Sequence, residues 1–150
     1  MSRLTIIFDA PVLLYFRAGS SHISKQFYEL VSGHRVYVCA SSIGEISEMV
    51  KAGKISIMER VENWMDRLLE GVEILPLDKK IFFDAHNLPD DSKLGIWSKY
   101  VVATARCERM TVVSLNENIL AYPQVKSLNP SSKEDIETKL QPIFTKVRTT

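Results

Sequence analysis

Leu4-Thr5-Ile6-Ile7-Phe8-Asp9-Ala10-Pro11-Val12-Leu13-Leu14-Tyr15-Phe16 is the stretch whose reading decides the fold. Up to Phe8 it is short, apolar and rich in β-branched and aromatic residues, the pattern of a buried strand. It stops at a lone carboxylate, Asp9, and helix-compatible residues follow at once. Asp9 therefore stands where a strand hands over to a helix. In open α/β sheets the carboxyl ends of the strands form the ligand crevice, so a charge there seeds a site. Asp is also a good N-cap, and Pro11 falls in the first helical turn, so capping a helix over residues 10–17 uses the same geometry. This stretch alone leaves both duties open.

Working outward, strand and helix alternate. Ile23, Phe27, Leu30 and Val31 share one face of a helix expected over residues 20–31, with Gly33 as its stop. Residues 35–40 read as a second buried strand, and Ser41-Ser42 opens a third helix through Ile43, Ile46, Met49 and Val50. A helix over 57–69, a strand over 72–76 and a short helix from Lys79 to Leu88 follow, then a polar loop through Asp90 and Asp91. Residues 96–109 read as a helix, 111–115 as a strand, 116–118 as a turn and 125–128 as a last edge strand. Strands separated by helices of this length call for a parallel sheet covered on both faces. Beyond Pro130, Ser132-Lys133-Glu134-Asp135 resembles a capping box and starts a polar helix to about Leu140, with Lys139, Lys146 and Arg148 making the end mildly basic. The expected division is a domain over 1–128 and a C-terminal helical extension or tail over 129–150.

A chain of 150 residues is long enough to bury a core without staples, and 45% hydrophobic with 25% charged residues is an ordinary globular composition. A formal net charge of +1 argues against a broad basic face for duplex DNA and leaves room for a local cationic groove. Cys39 and Cys107 lie in apolar contexts without a C-x-x-C pair, which points to free thiols in a reducing compartment. The first apolar run is broken by Asp9 and Pro11, and no stretch is long enough to span a bilayer, so a cytoplasmic location is expected.

A second candidate carboxylate is Glu45, one turn into the third helix and straight after a strand whose carboxyl end should lie beside that of the first. Ser42-Ile43-Gly44-Glu45 also fits a capping box, so Glu45 has a structural reading too. In joint context the chain resembles the PIN domains, in particular the bacterial and archaeal kind that includes VapC toxins of toxin-antitoxin pairs. The matching pieces run in order from Phe8-Asp9-Ala10-Pro11-Val12-Leu13-Leu14 through Ser41-Ser42-Ile43-Gly44-Glu45-Ile46 to Ala52-Gly53-Lys54-Ile55. Ile74-Leu75-Pro76-Leu77, Leu88-Pro89, Lys99-Tyr100-Val101-Val102-Ala103-Thr104-Ala105 and Thr111-Val112-Val113-Ser114 follow, with Ala121-Tyr122 behind them. The resemblance implies a three-layer α/β/α sandwich around a central parallel sheet. For active members it implies a magnesium- or manganese-dependent ribonuclease. Such ions want hard oxygen ligands, lower the pKa of the attacking water and offset charge on the phosphate.

Carried over by position, Asp9 and Glu45 match the first two family acids, as catalytic and metal-holding residues, and Ser114 matches the hydroxyl on the last motif strand. The departures are sharper. An acid seven residues before Ala105 is here Ser98, and the acid of the turn after Ser114 is Asn116. The Thr-His common after the first acid is Ala10-Pro11, and the His-Arg-Asp-Pro common before Ser98 reads Lys93-Leu94-Gly95-Ile96. Ser and Asn are strong N-caps, so each can keep a local turn while deleting charge. A dication about 4 Å from a carboxylate, at an effective dielectric of about 20, gains about 8 kcal/mol before desolvation, so two lost acids cost metal affinity heavily. Asp91 and Glu117 are the candidate substitutes, with Asp90 and Glu48 nearby.

The first expectation is thus a PIN-like domain with a degenerate acidic site, impaired in hydrolysis and acting as a binding or regulatory module. Alternatives are a weak or altered Mg/Mn-dependent endoribonuclease on Asp9 and Glu45, or a protein-interaction subunit. RNA, an antitoxin-like protein and a second copy in a homodimer are the expected partners, with no membrane. His22, His34 and His86 match no ligand spacing and read as surface or loop residues. Lys51 and Lys54 around Gly53 read as helix-end chemistry, and Trp64 and Trp97 as core or interface anchors.

Overall fold

In a computed structural model, which describes residues 5–89 and 92–142, the first apolar run forms β1 (Ile6–Phe8) and α1 (Ala10–Ala18). The chain continues through α2 (Lys25–Val31), β2 (Val36–Cys39), α3 (Ala40–Lys51), α4 (Val61–Leu68) and β3 (Val72–Leu75). It then runs through α5 (Lys79–His86), α6 (Ile96–Glu108), β4 (Thr111–Val113), α7 (Glu117–Leu120) and β5 (Lys126–Leu128). The last described helix is α8 (Lys133–Asp135), which passes into a π-helical turn (Ile136–Leu140). All five strands are parallel, in the order β3-β2-β1-β4-β5.

β1 is the central strand, and none of its side chains is more than 2% exposed. That burial explains its unbroken apolar run, since a strand covered on both faces has no polar side to show. Its side chains still alternate between layers. Ile6 and Phe8 pack with Val12 and Leu13 of α1, Phe27 of α2, and Met65 and Leu68 of α4, whereas Ile7 packs with Val101, Val102 and Ala105 of α6. Helices thus cover both faces of the sheet, as a three-layer α/β/α sandwich requires. Ile136 and Leu140 are fully buried in the first of these layers, and the Ser24 amide donates to the Pro130 carbonyl at 3.0 Å.

The departures from the expected elements are local. The second helix begins at Lys25, because the Ser24 side chain accepts from the Gln26 amide and residues before it form a turn. The fourth begins at Val61 instead of 57, and Met58, 99% exposed, gives that earlier stretch no packing to hold it. The turn expected at 116–118 tightens into α7, capped by Asn116. Cys39 is buried, Cys107 is half-buried, and neither forms a disulfide. Among the described residues no helix is long and apolar enough to cross a membrane.

Candidate functional site

The strand order reverses between β1 and β4, and crevices of open parallel sheets lie at such reversals, outside the carboxyl ends of the strands. Asp9 leaves β1 there and Ser114 leaves β4 beside it. Asp9 performs both duties its sequence position suggests. Its Oδ1 accepts from the Val12 amide at 3.0 Å, capping α1, while its Oδ2 accepts from the Ser114 hydroxyl at 2.5 Å. Each oxygen keeps lone-pair capacity after these bonds, so capping leaves the carboxylate able to take a ligand. Asp9 is 4% exposed and Ser114 is fully buried. Burial pushes the Asp9 carboxyl up to about 6, against the hydrogen bonds from Ser114 and Val12, which favour its charged form.

Glu45 reaches the same crevice from α3. The capping box expected for Ser42 and Glu45 does not form. The helix starts at Ala40, so Ser42 lies inside it, with its hydroxyl 3.4 Å from the Cys39 sulfur. Glu45 is left facing Asp9, half-buried, with no hydrogen bond or ion pair among the described residues. Its carboxyl is pushed up to about 7, first by burial and then by the Asp9 charge. A Cβ at Gly44 would lie 3.4 Å from the Trp97 ring, in van der Waals contact, so α3 packs against α6 beside Glu45.

Asp9, Glu45, Ser98 and Asn116 line one cleft of about 410 Å³, together with Tyr15 and His22. Ser98 lies in the first turn of α6, but the N-cap position there is Gly95, so Ser98 does not cap the helix. Asn116 does cap: its Oδ1 accepts from the Asn118 amide at 2.9 Å, and its own amide donates to the Ser114 hydroxyl at 3.0 Å. Glu117 is exposed at the start of α7 and does not line the cleft. Asp90 and Asp91 lie outside the described residues. Sequence spacing missed Tyr15 and His22 as cleft residues. The signal available was Gly19-Ser20-Ser21-His22, turn chemistry that folds the histidine back on the end of α1.

Among the described residues no three His, Cys, Asp or Glu side chains gather around one ion position. The donor set for a cation is therefore two carboxylates with neutral oxygens from Ser98 and Asn116. Magnesium is commonly held by one or two carboxylates, with waters and phosphate oxygens completing its shell. The set fits one such ion held loosely. It does not fit a dedicated all-protein cage.

Comparison with known proteins places the fold. The PIN domain family matches residues 6–124. A chain of VapBC-1 from nontypeable Haemophilus influenzae superposes with a TM-score of 0.67 at 14% identity, over 86% of this chain and 100% of that one. A chain of VapBC2 from Rickettsia felis, solved bound to a DNA fragment from their promoter, gives 0.65 at 16%, over 84% and 98%. A chain of a toxin-antitoxin complex from Klebsiella pneumoniae gives 0.61 at 15%, over 84% and 98%. No curated protein sequence matches the chain significantly.

Proposed function

Because the chain belongs to the PIN domain family, we propose that it is an RNA-binding member whose metal-dependent phosphodiester hydrolysis is impaired. The observation that carries this reading is Glu45: a half-buried carboxylate, raised to about 7, facing the Asp9 carboxylate with no cation paired to it. A scaffold without a ligand gains nothing from two such groups, since burying like charges costs stability. A site that takes a divalent ion or a hydrogen-bond donor uses them.

Asp9 and Glu45 would hold the ion, and Ser114 fixes the direction of Asp9. When bound, the ion offsets phosphate charge and makes a coordinated water more acidic. Ser98 and Asn116 stand at the other two positions as neutral oxygens, and the Asn116 oxygen is already engaged with Asn118. Loss of two carboxylate attractions, each about 8 kcal/mol before desolvation, favours weak ion retention and slow hydrolysis. The specific support for the alternative, a weak Mg/Mn-dependent endoribonuclease, is that the Asp9–Glu45 coupling and the Ser114 bond survive intact.

The experiment compares wild type with Asp9→Asn on a mixed pool of single-stranded RNA in manganese, measuring retention on a filter and cleavage on a gel. Expected is RNA retention by the wild type without Asp9-dependent cleavage. Cleavage that vanishes in Asp9→Asn replaces impairment with the endoribonuclease reading, and absence of RNA retention by the wild type overturns the RNA-binding proposal.

Protein partners are proposed on separate support. An apolar groove of about 500 Å³ beside α1, lined by Leu14, Ala18, Met49, Ile55 and Trp64, suits a small antitoxin-like protein. One structural neighbour is a chain of a toxin-antitoxin complex. Exposed Phe82 and Phe83 on α5 and Ile96 at the start of α6 suit a homodimer contact.

A further inference from the structure

Two aromatic side chains of the cleft stand apart from the acid chemistry, Tyr15 and His22. Their rings are stacked, with centroids 4.3 Å apart and planes 11° from parallel. The turn that carries His22 is fixed at several points. Gly19, at φ 65°, closes α1 in the left-handed conformation. The Ser20 amide donates to the Tyr15 carbonyl at 3.0 Å and the Ile23 amide to the Ser20 carbonyl at 3.2 Å. The Tyr28 hydroxyl lies 3.1 Å from the Tyr15 carbonyl and 2.8 Å from that of Ser20, tying both ends of the turn to α2.

The imidazole itself is also oriented. Ser20 Oγ accepts from the His22 amide at 3.1 Å and lies 2.8 Å from Nδ1. The hydroxyl has a second lone pair, so it either donates to Nδ1, which leaves the ring proton on Nε2, or accepts from Nδ1–H, and in the imidazolium both nitrogens carry protons. Nε2 has no hydrogen-bond partner among the described residues. His22 thus lines the cleft with a ring whose Nε2, in the tautomer that protonates it, has a hydrogen no described residue takes up.

That donor is not placed for a metal ion, since His22 does not gather with Asp9 and Glu45 around one ion position. No Lys or Arg lines the cleft, so a phosphodiester entering beside the carboxylates finds no fixed cation there. A group set apart from the acids, pre-oriented and able to donate in a cleft that lacks cations, fits a phosphate oxygen of the same strand. Resting on the RNA-site reading above, we propose that His22, held by Ser20 and Tyr15, is a substrate-binding residue. Its Nε2–H hydrogen-bonds a phosphate oxygen of single-stranded RNA lying across the cleft.

The test measures binding of a labelled single-stranded RNA of mixed sequence by fluorescence anisotropy, in EDTA and in manganese. It uses wild type, His22→Ala, His22→Gln and His22→Phe, each checked for an unchanged melting temperature. His22→Ala is expected to weaken binding about tenfold, in the range of a hydrogen bond to a charged group. His22→Gln, with an amide nitrogen near the Nε2 position, should recover most of the loss, and His22→Phe, which keeps the stack without the donor, should not. In the wild type, the Nε2 resonance of His22 should shift on RNA addition. Equal binding by all four proteins overturns the proposal while leaving the RNA site standing, whereas no binding by the wild type removes both. Wild-type affinity in His22→Phe overturns donation in favour of stacking, and loss of manganese affinity in His22→Ala overturns it in favour of metal ligation.

Discussion

Replacing Asp9 with Asn is expected to stabilise the protein at pH 8 and to lower its stability near pH 4 by about 1 kcal/mol, the cost of one lost hydrogen bond. The folded Asp9 carboxyl is raised from 3.8 to about 6, chiefly by burial. Between these values the folded state keeps a proton that the unfolded chain has released, so wild-type stability falls as pH rises through that window. Above it the penalty is fully present, and moving the carboxyl from 3.8 to about 6 makes it about 3 kcal/mol. Asn carries no charge and is spared this, while its carbonyl still accepts one of the two hydrogen bonds. For a chain of this size about 3 kcal/mol corresponds to about 6–12 °C in melting temperature. Glu45 adds to the fall in the same direction up to about pH 7, and the Asp9 charge is one of its causes. The Glu45 carboxyl should therefore titrate lower in Asp9→Asn. The assay is calorimetric melting of both proteins in EDTA from pH 4 to pH 8, with carboxyl NMR of Glu45. Manganese at pH 8 should narrow the gap by binding the wild type alone. A gap between the two proteins that is the same at pH 4 and pH 8 would refute the buried-charge argument.

Two further outcomes follow from the cleft and the surface. Ser98→Asp with Asn116→Asp should raise manganese affinity at least tenfold by calorimetry, because Asp keeps the α7 cap while adding charge; no gain in a folded double variant means these positions do not face Asp9 across the cleft. Native mass spectrometry of protein purified from its own cells should read two copies plus a small protein, and Phe83→Glu should reduce it to one copy; a wild type that is monomeric and alone sinks both assembly proposals.

The fold was legible where burial and periodicity speak together. β1 is readable because a strand covered on both faces must be apolar throughout, and α6 because Val101, Val102 and Ala105 meet the sheet at helical spacing. The boundaries that slipped are set by contacts a window of sequence does not contain. The helix expected from residue 20 starts at Lys25, where Ser24 supplies the cap and its amide bonds the Pro130 carbonyl from a distant part of the chain. Ser42 misled for a related reason. Its capping box is a good local signal, but β2 runs directly into α3, leaving no separate cap residue for the box to use. The Asp9–Ser114 bond spans strands adjacent only through the order reversal, so motif position indicates it and spacing does not. His22 was illegible because its partners are a ring on the preceding helix and a hydroxyl two residues back, neither of which resembles a ligand pattern.

The duties of the acid positions separate what the cleft can lose from what it still uses. Asn116 shows how a neutral residue suffices where the task is a turn, since a carboxamide oxygen caps α7 as a carboxylate would. Asp9 sits at the opposite extreme, because it caps α1 and joins β1 to β4 through Ser114, so its presence alone says little about chemistry. Glu45 has no such excuse. It caps nothing, pairs with no cation among the described residues, and stands half-buried against another carboxylate. Gln in its place would fill nearly the same volume without the charge repulsion, and a cleft that were only scaffold would be more stable for it. The cost of Glu45 is offset when something positive or hydrogen-donating enters between the two carboxylates, which is the ground for proposing ligand binding, and not fold maintenance, as the role of Glu45.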